Sequence, residues 1–237
     1  MARPRSSSTT STRSRPKPAR FATRNGRELT DLAVRACLIA IDAAFNTKDF
    51  LANAAQMAFL AVRDCEKELD RIEQLIDEQL PTAIAEVAEP EARELLACLR
   101  FSTDLERIGD LLWGVARRAH NLDTRLAKQD LQQLIAMLDV LEKMLKGVRD
   151  GFLERELEPA SYVLRADREI DDIYKALFRR HVHNEAHRNI KHAADALLMA
   201  QALERAGDHA TNLAEEVFRL IQGRSLRHVP KKQLKDQ

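Results

Sequence analysis

No stretch of this chain approaches the ~20 uninterrupted apolar residues that a membrane helix requires, so it does not span a bilayer by itself. Glycine and proline are scarce, seven of each in 237 residues, and aromatic residues make up only 5%. With so few backbone breakers and so much Ala, Leu, Glu and Arg, the composition is that of long helices, and the fold is expected to be all-α. Cysteine is sparse too. Cys37, Cys65 and Cys98 are widely spaced within helical patterns, which excludes a disulfide framework and a zinc site and leaves buried small apolar groups in a reducing compartment. Acids are missing from residues 1–27, which carry 8 Lys and Arg; the remainder holds 30 Lys and Arg against 37 Asp and Glu. No Gly-rich phosphate loop, nucleophile elbow or thiolate pair is present, so neither ATP hydrolysis nor covalent catalysis has residues to carry it.

What the chain does have is helical periodicity and a hydrophobic fraction of 45%, ample for a core. Residues 1–27 have almost nothing to bury and are expected to be a disordered basic tail. From Glu28, Leu29, Leu32, Ala36, Ile39 and Ala43 mark a first amphipathic segment, with a break and cap expected at Asn46 and Thr47. A second segment, about 48–79, carries Val62, Cys65, Leu69, Ile72 and Ile76 and is expected to end near Pro81. A third opens at Glu89-Pro90-Glu91, proline in the first turn and acids at the positive end of the helix dipole, and runs through Ala119. After Asn121 to Thr124 the series repeats: a fourth segment to Glu154, a fifth from Glu158-Pro159-Ala160, and a sixth from the His181–Asn184 break to Gln222, capped by Gly223. Long helices joined by short loops are antiparallel neighbours, so the reading is two tandem three-helix bundles, 28–122 and 123–228, followed by a tail at 229–237.

The halves share more than a pattern. Leu105-Glu106-Arg107-Ile108-Gly109-Asp110 returns almost unchanged as Leu203-Glu204-Arg205-Ala206-Gly207-Asp208. Helix propensity constrains residue class more than identity, so shared chemistry is the better explanation. Residues four apart share a helix face, which sets Glu106 beside Asp110 and Glu204 beside Asp208, flanking the apolar stripe. Gly109 and Gly207 cost about 1 kcal/mol of helix propensity relative to Ala and imply a closely packed neighbour. The preceding segment of each half supplies further acids: Glu66 and Asp70, continued by Glu73 and Asp77, and then Asp167 and Asp171.

Converging carboxylates need positive charge. Arg71, Arg107, Arg168 and Arg205 are one source. The other is a multivalent cation, since clustered Asp and Glu oxygens without Cys suit hard metals such as Mg, Mn, Ca or Fe. Four pairs in two matched settings favour the metal.

These motifs resemble those of the PhoU family, the phosphate-specific transport system accessory proteins, from about Glu28 to His228. The resemblance implies two three-helix bundles binding metal through Glu66, Asp70, Glu106 and Asp110 in the first half and Asp167, Asp171, Glu204 and Asp208 in the second. It further implies a non-catalytic, cytoplasmic, often dimeric regulator at the inner membrane face that represses the phosphate-starvation response. Its implied partners are the ATP-binding subunit of a phosphate transporter and the membrane sensor histidine kinase of the phosphate regulon. The chain departs from the family pattern at Ala206, where the bulkier Ile is usual, at Gly114, where the second half has Asn212, and in its basic tail. A weaker or differently ligated first metal site is the expected consequence of Gly114.

Two other classes compare poorly. A di-metal carboxylate oxidase needs Glu-x-x-His pairs, and neither motif has a histidine three residues after its Glu. Nucleic-acid binding would rest on the tail alone, because the bundles are acidic and aromatic-poor. An accessory of a different transporter stays open as an alternative. His181, His183, His187 and His192 read as loop histidines, although His183 and His187 have metal-pair spacing.

Overall fold

The computed structural model describes residues 24–183 and 190–223, and the described residues are six helices with short connections. They are α1 (Arg24–Asn53), α2 (Gln56–Ala85), α3 (Glu89–His120), α4 (Lys128–Glu154), α5 (Leu157–His183) and α6 (Ile190–Gln222). Each forms because its apolar residues recur at three and four. In α2, Val62, Leu69, Ile72, Ile76, Leu80 and Ala83 lie on one buried stripe, and in α3 Leu95, Cys98, Phe101, Leu105, Ile108, Leu112 and Val115 do the same. Each fully buried Leu or Ile contributes ~1.5 to 3 kcal/mol, which dwarfs the propensity differences along the helices.

Helices α1, α2 and α3 pack on one another, as do α4, α5 and α6; the halves join where α1 meets α4 and α3 meets α6. The two triangles thus meet edge to edge with α2 and α5 outermost, and α2, α3, α6 and α5 form one continuous face. Phe101 of α3 meets Phe152 of α4 with ring centroids 4.5 Å apart, so the core runs unbroken between the bundles. Polar ties cross the same seam. Arg100 donates to both oxygens of the nearly buried Glu216 at 2.7 and 2.9 Å, and Lys48 pairs with Asp139 and Glu142 at 2.9 and 2.8 Å. Asp104 meets His209 Nδ1 at 2.7 Å and Arg118 meets Asp195 at 2.9 Å. Residues further along α3 pair with residues earlier in α6, so these helices are antiparallel and the two hexamers cross near mid-length.

Several boundaries differ from the sequence reading. Helix α1 starts at Arg24, inside the segment assigned to the tail, where Arg24 pairs with Glu28 at 2.8 Å. It also passes through Asn46 and Thr47, because both side chains bond back to carbonyls one turn earlier, Asp42 and Ala43, each at 2.7 Å. The turn comes instead at Ala54, whose φ of 54° is left-handed. Pro81 lies inside α2, which continues to Ala85: its missing N–H leaves only the carbonyl of exposed Asp77 to water. Helix α4 begins at Lys128 and not at Thr124. Gly223 does close α6, with φ of 72° and its N–H donating to Arg219 at 2.8 Å. Residues 1–23, 184–189 and 224–237, which include most of the basic tail and the C-terminal tail, lie outside the described residues.

Cys37 and Cys98 are fully buried between α1 and α3, and burial pushes both thiols up to about 12. Cys65 is half-buried and pushed up to about 11 by the same cause. All three are free.

Candidate metal centres

The acids are placed by the glycines between them. A Cβ added at Gly109 would stand 2.6 Å from Leu69 Cδ1 and 3.7 Å from Glu66 Cα, so α3 presses on α2 at the turn that carries Glu66 and Asp70. At Gly207 the same construction meets Ile170 Cδ1 at 3.1 Å, which seats α6 on α5 between Asp167 and Asp171. The neighbour of each motif is therefore the preceding helix of its own half. Because the α2/α3 and α5/α6 seams open on the same broad face, the two acid grooves lie side by side on one surface.

In the first groove, Glu106 is largely buried and Asp110 is half-exposed. Burial, then Asp110, then Glu73 across the seam push the Glu106 carboxyl up to about 7. Glu66 is raised by burial, then by Asp110 and Asp70. The charges of α2 and α3 thus act on one another, opposed by Arg107 at Glu106 and by Lys67 and Arg117 at Glu66. Arginine compensation is partial. Arg107 reaches Glu106 and Asp110 only at 3.4 and 3.5 Å, and Glu106 Oε2, although buried, has no hydrogen bond. Arg71 turns to Glu68 at 3.8 Å.

The second groove repeats the design with more local compensation. Glu204 is raised by burial, then by Asp208, Asp171 and Asp167, with Arg205 opposing weakly. Asp171 pairs with Lys175 at 3.0 Å and Asp167 accepts a hydrogen bond from Thr211 at 3.2 Å. Arg168 lines an open groove between α4 and α5 instead of joining the acids.

Eight oxygen-donor side chains, no sulfur and a buried unsatisfied carboxylate oxygen fit a hard cation by ligand chemistry. Among the described residues, no three His, Cys, Asp or Glu side chains already stand as a ligand set around one point. The outer carboxylates rest on local partners, as Asp70 does on Gln74 at 3.1 Å. Gathering them means turning exposed side chains, with the backbone already in place. The histidines go elsewhere: His181 Nε2 meets buried Asp130 at 2.8 Å, His192 meets Thr124 at 3.3 Å, and His209 is taken by Asp104. The side chain of His183 and all of His187 lie outside the described residues.

Sequence reasoning missed the ties that fix the grooves relative to each other. Arg100 and Glu216 belong to different halves, and no local spacing announces their pairing. Gly114, read as a weakening of the first metal site, faces the α3/α6 seam with no atom within 4 Å of where a Cβ would stand.

Known proteins match this chain in both halves and in fold. The PhoU domain matches residues 28–119 and again 134–217. A phosphate-specific transport system accessory protein PhoU homolog of Xylella fastidiosa is 34% identical over 164 residues, 68% of this chain and 68% of the relative. One from Rhizobium meliloti is 36% identical over 165 residues, 65% of this chain and 68% of that protein. Among solved structures, PhoU from Pseudomonas aeruginosa superposes with a TM-score of 0.79 at 25% identity, covering 84% of this chain and 98% of the other. The phosphate transport system regulatory protein PhoU from Streptococcus pneumoniae shares the fold, with a TM-score of 0.76 at 21% identity over 84% of this chain and 96% of the other.

Proposed function

Because this chain belongs to the PhoU family, we propose that it is a non-catalytic regulator of phosphate uptake and phosphate-starvation signalling, built around two cation-binding acid grooves. Glu66, Asp70, Glu106 and Asp110 hold one cation or cluster, and Asp167, Asp171, Glu204 and Asp208 the other. A divalent or trivalent ion of the Mg, Mn, Fe or Ca type supplies charge neutralisation and open coordination positions for a partner's oxygens. The chain's own residues do the rest. Gly109 and Gly207 hold the helices close enough for the acids of both to act together, and the α3/α6 ties keep the two grooves on one rigid face.

The observation that carries this reading is the PhoU domain match in both halves; the cation sites are supported by the close helix contacts at Gly109 and Gly207, where burial and acids of the same and the neighbouring helix raise Glu66, Glu106 and Glu204. A surface kept only for solubility has no reason to concentrate like charge at its tightest helix contacts. In this reading the two acid grooves dock to the ATP-binding subunit of a phosphate transporter and to a sensor histidine kinase. The protein acts in the cytoplasm as a homodimer at the inner membrane surface. No helix among the described residues is long and apolar enough to cross a membrane.

Deleting the gene and following a phosphate-starvation reporter in phosphate-rich medium tests the role. The reporter is expected to stay on, and to be silenced by the wild-type chain supplied in trans. A reporter that stays off in the deletion contradicts the regulatory reading.

A further inference from the structure

The internal duplication is broken along the α3/α6 seam, and there a cavity opens. Between the second half of α3 and the first half of α6 lies a space of about 370 Å³, lined by Asp110, Gly114, Arg117, Arg118, Asn121 and Arg205, among others. Carrying the spacing of the two hexamers along both helices matches Gly114 with Asn212, Ala202 with Asp104, and Arg117 and Arg118 with Glu215 and Glu216. The matching region at the other end of the seam is filled. There Asp104 meets His209 at 2.7 Å, and Glu216 is gripped by Arg100 and Arg219, each at 2.7 Å. At the open end the small residues Gly114 and Ala202 leave room, and two acids have become arginines.

We propose that this cavity binds a small oxyanion that carries a proton, of the hydrogen phosphate class. Arg117, Arg118 and Arg205 provide the charge, and Asn121 and Gln201, also on its wall, provide neutral hydrogen-bonding groups. A water takes about 30 Å³ of liquid volume, so the space admits a tetrahedral anion with several waters. Asp110 sets the selectivity. Its carboxyl oxygens on the cavity wall can accept a hydrogen bond from the proton of hydrogen phosphate, which sulfate lacks. Arg118 is also tied to Asp195 at 2.9 Å, and Arg117 acts on Glu66. Their place in the last turn of α3 further opposes the helix dipole. Arg205, which arrives from α6, also acts on Glu204; none of these pairings accounts for the open space at Gly114.

The cavity shares Asp110 with the first cation groove, so it is tested with cations removed. The full chain, stripped on a chelating resin, is titrated with inorganic phosphate and with sulfate by calorimetry at low ionic strength. Phosphate is expected to bind saturably at one site, about tenfold or more tighter than sulfate. Gly114→Asn, which narrows the space without altering any charge and replaces glycine by a better helix former, is expected to weaken that binding about tenfold with an unchanged circular dichroism spectrum. Arg205→Ala, on an exposed position, is expected to weaken it about tenfold. No saturable phosphate binding, equal affinity for phosphate and sulfate, or undiminished binding in both variants overturns the proposal.

Discussion

Replacing Glu106 by Gln removes one charge from the tightest part of the first groove and keeps the shape of the side chain. In the folded protein the Glu106 carboxyl is raised from 4.5 to about 7 by burial, Asp110 and Glu73. A raised carboxyl contributes its full stability below pH 4.5, where it is protonated both folded and unfolded, and loses it as pH rises through about 7. At 1.36 kcal/mol per pH unit the difference sets a ceiling of about 3.4 kcal/mol. Asp110 is half-exposed and water screens its interaction, so the expected effect is about 1 to 2 kcal/mol. In cation-free buffer, urea unfolding at about pH 8 therefore shows Glu106→Gln more stable than wild type by that amount, while at about pH 4.5 the two nearly coincide. Adding a divalent cation at about pH 8 stabilises the wild type and has a much smaller effect on the variant. A pH-independent difference between the proteins, or a variant less stable at high pH, refutes the argument that uncompensated carboxylates strain this seam.

The remaining predictions concern the packing that places the acids. Gly109→Ala forces Leu69 to move and is expected to lower stability by about 1 kcal/mol after the gain in helix propensity, whereas Gly207→Ala, with a looser contact, stays within about 0.5 kcal/mol of wild type. Chemical denaturation ranks the two, and the reverse order contradicts the geometry. Glu216→Ala leaves Arg100 and Arg219 without their shared acceptor between the bundles and is expected to cost about 1 to 3 kcal/mol. A change below about 0.5 kcal/mol by thermal unfolding shows that the Glu216 pairs do not hold the bundles together.

The start of α3 at Glu89-Pro90 and the closure of α6 at Gly223 were legible because one residue carries each signal: proline is harmless in the first turn, and glycine takes positive φ without strain. The α1/α2 turn was not. It falls at Ala54, a residue type with no turn signal, while the polar pair Asn46 and Thr47 satisfies itself inside the helix by bonding backwards. Pro81 misled in the same way, because a proline near a helix end costs only a carbonyl that water can reach. In the grooves, Gly109 and Gly207 announced close neighbours, and the acid pairs of the preceding segment in each half pointed to the helices that the structure places there. The cavity at Gly114 was beyond local reading, because it exists only where α3 and α6 from different halves run antiparallel.

The central claim, that each acid groove holds a cation, is tested most directly by elemental analysis of the purified full-length chain beside a variant with Glu106, Asp110, Glu204 and Asp208 all replaced by Ala. The account predicts tightly held divalent or trivalent metal in the wild type and none in the variant, with helicity nearly unchanged. Stoichiometric metal retained by the variant, or a wild type that takes up no metal after incubation and dialysis, contradicts it.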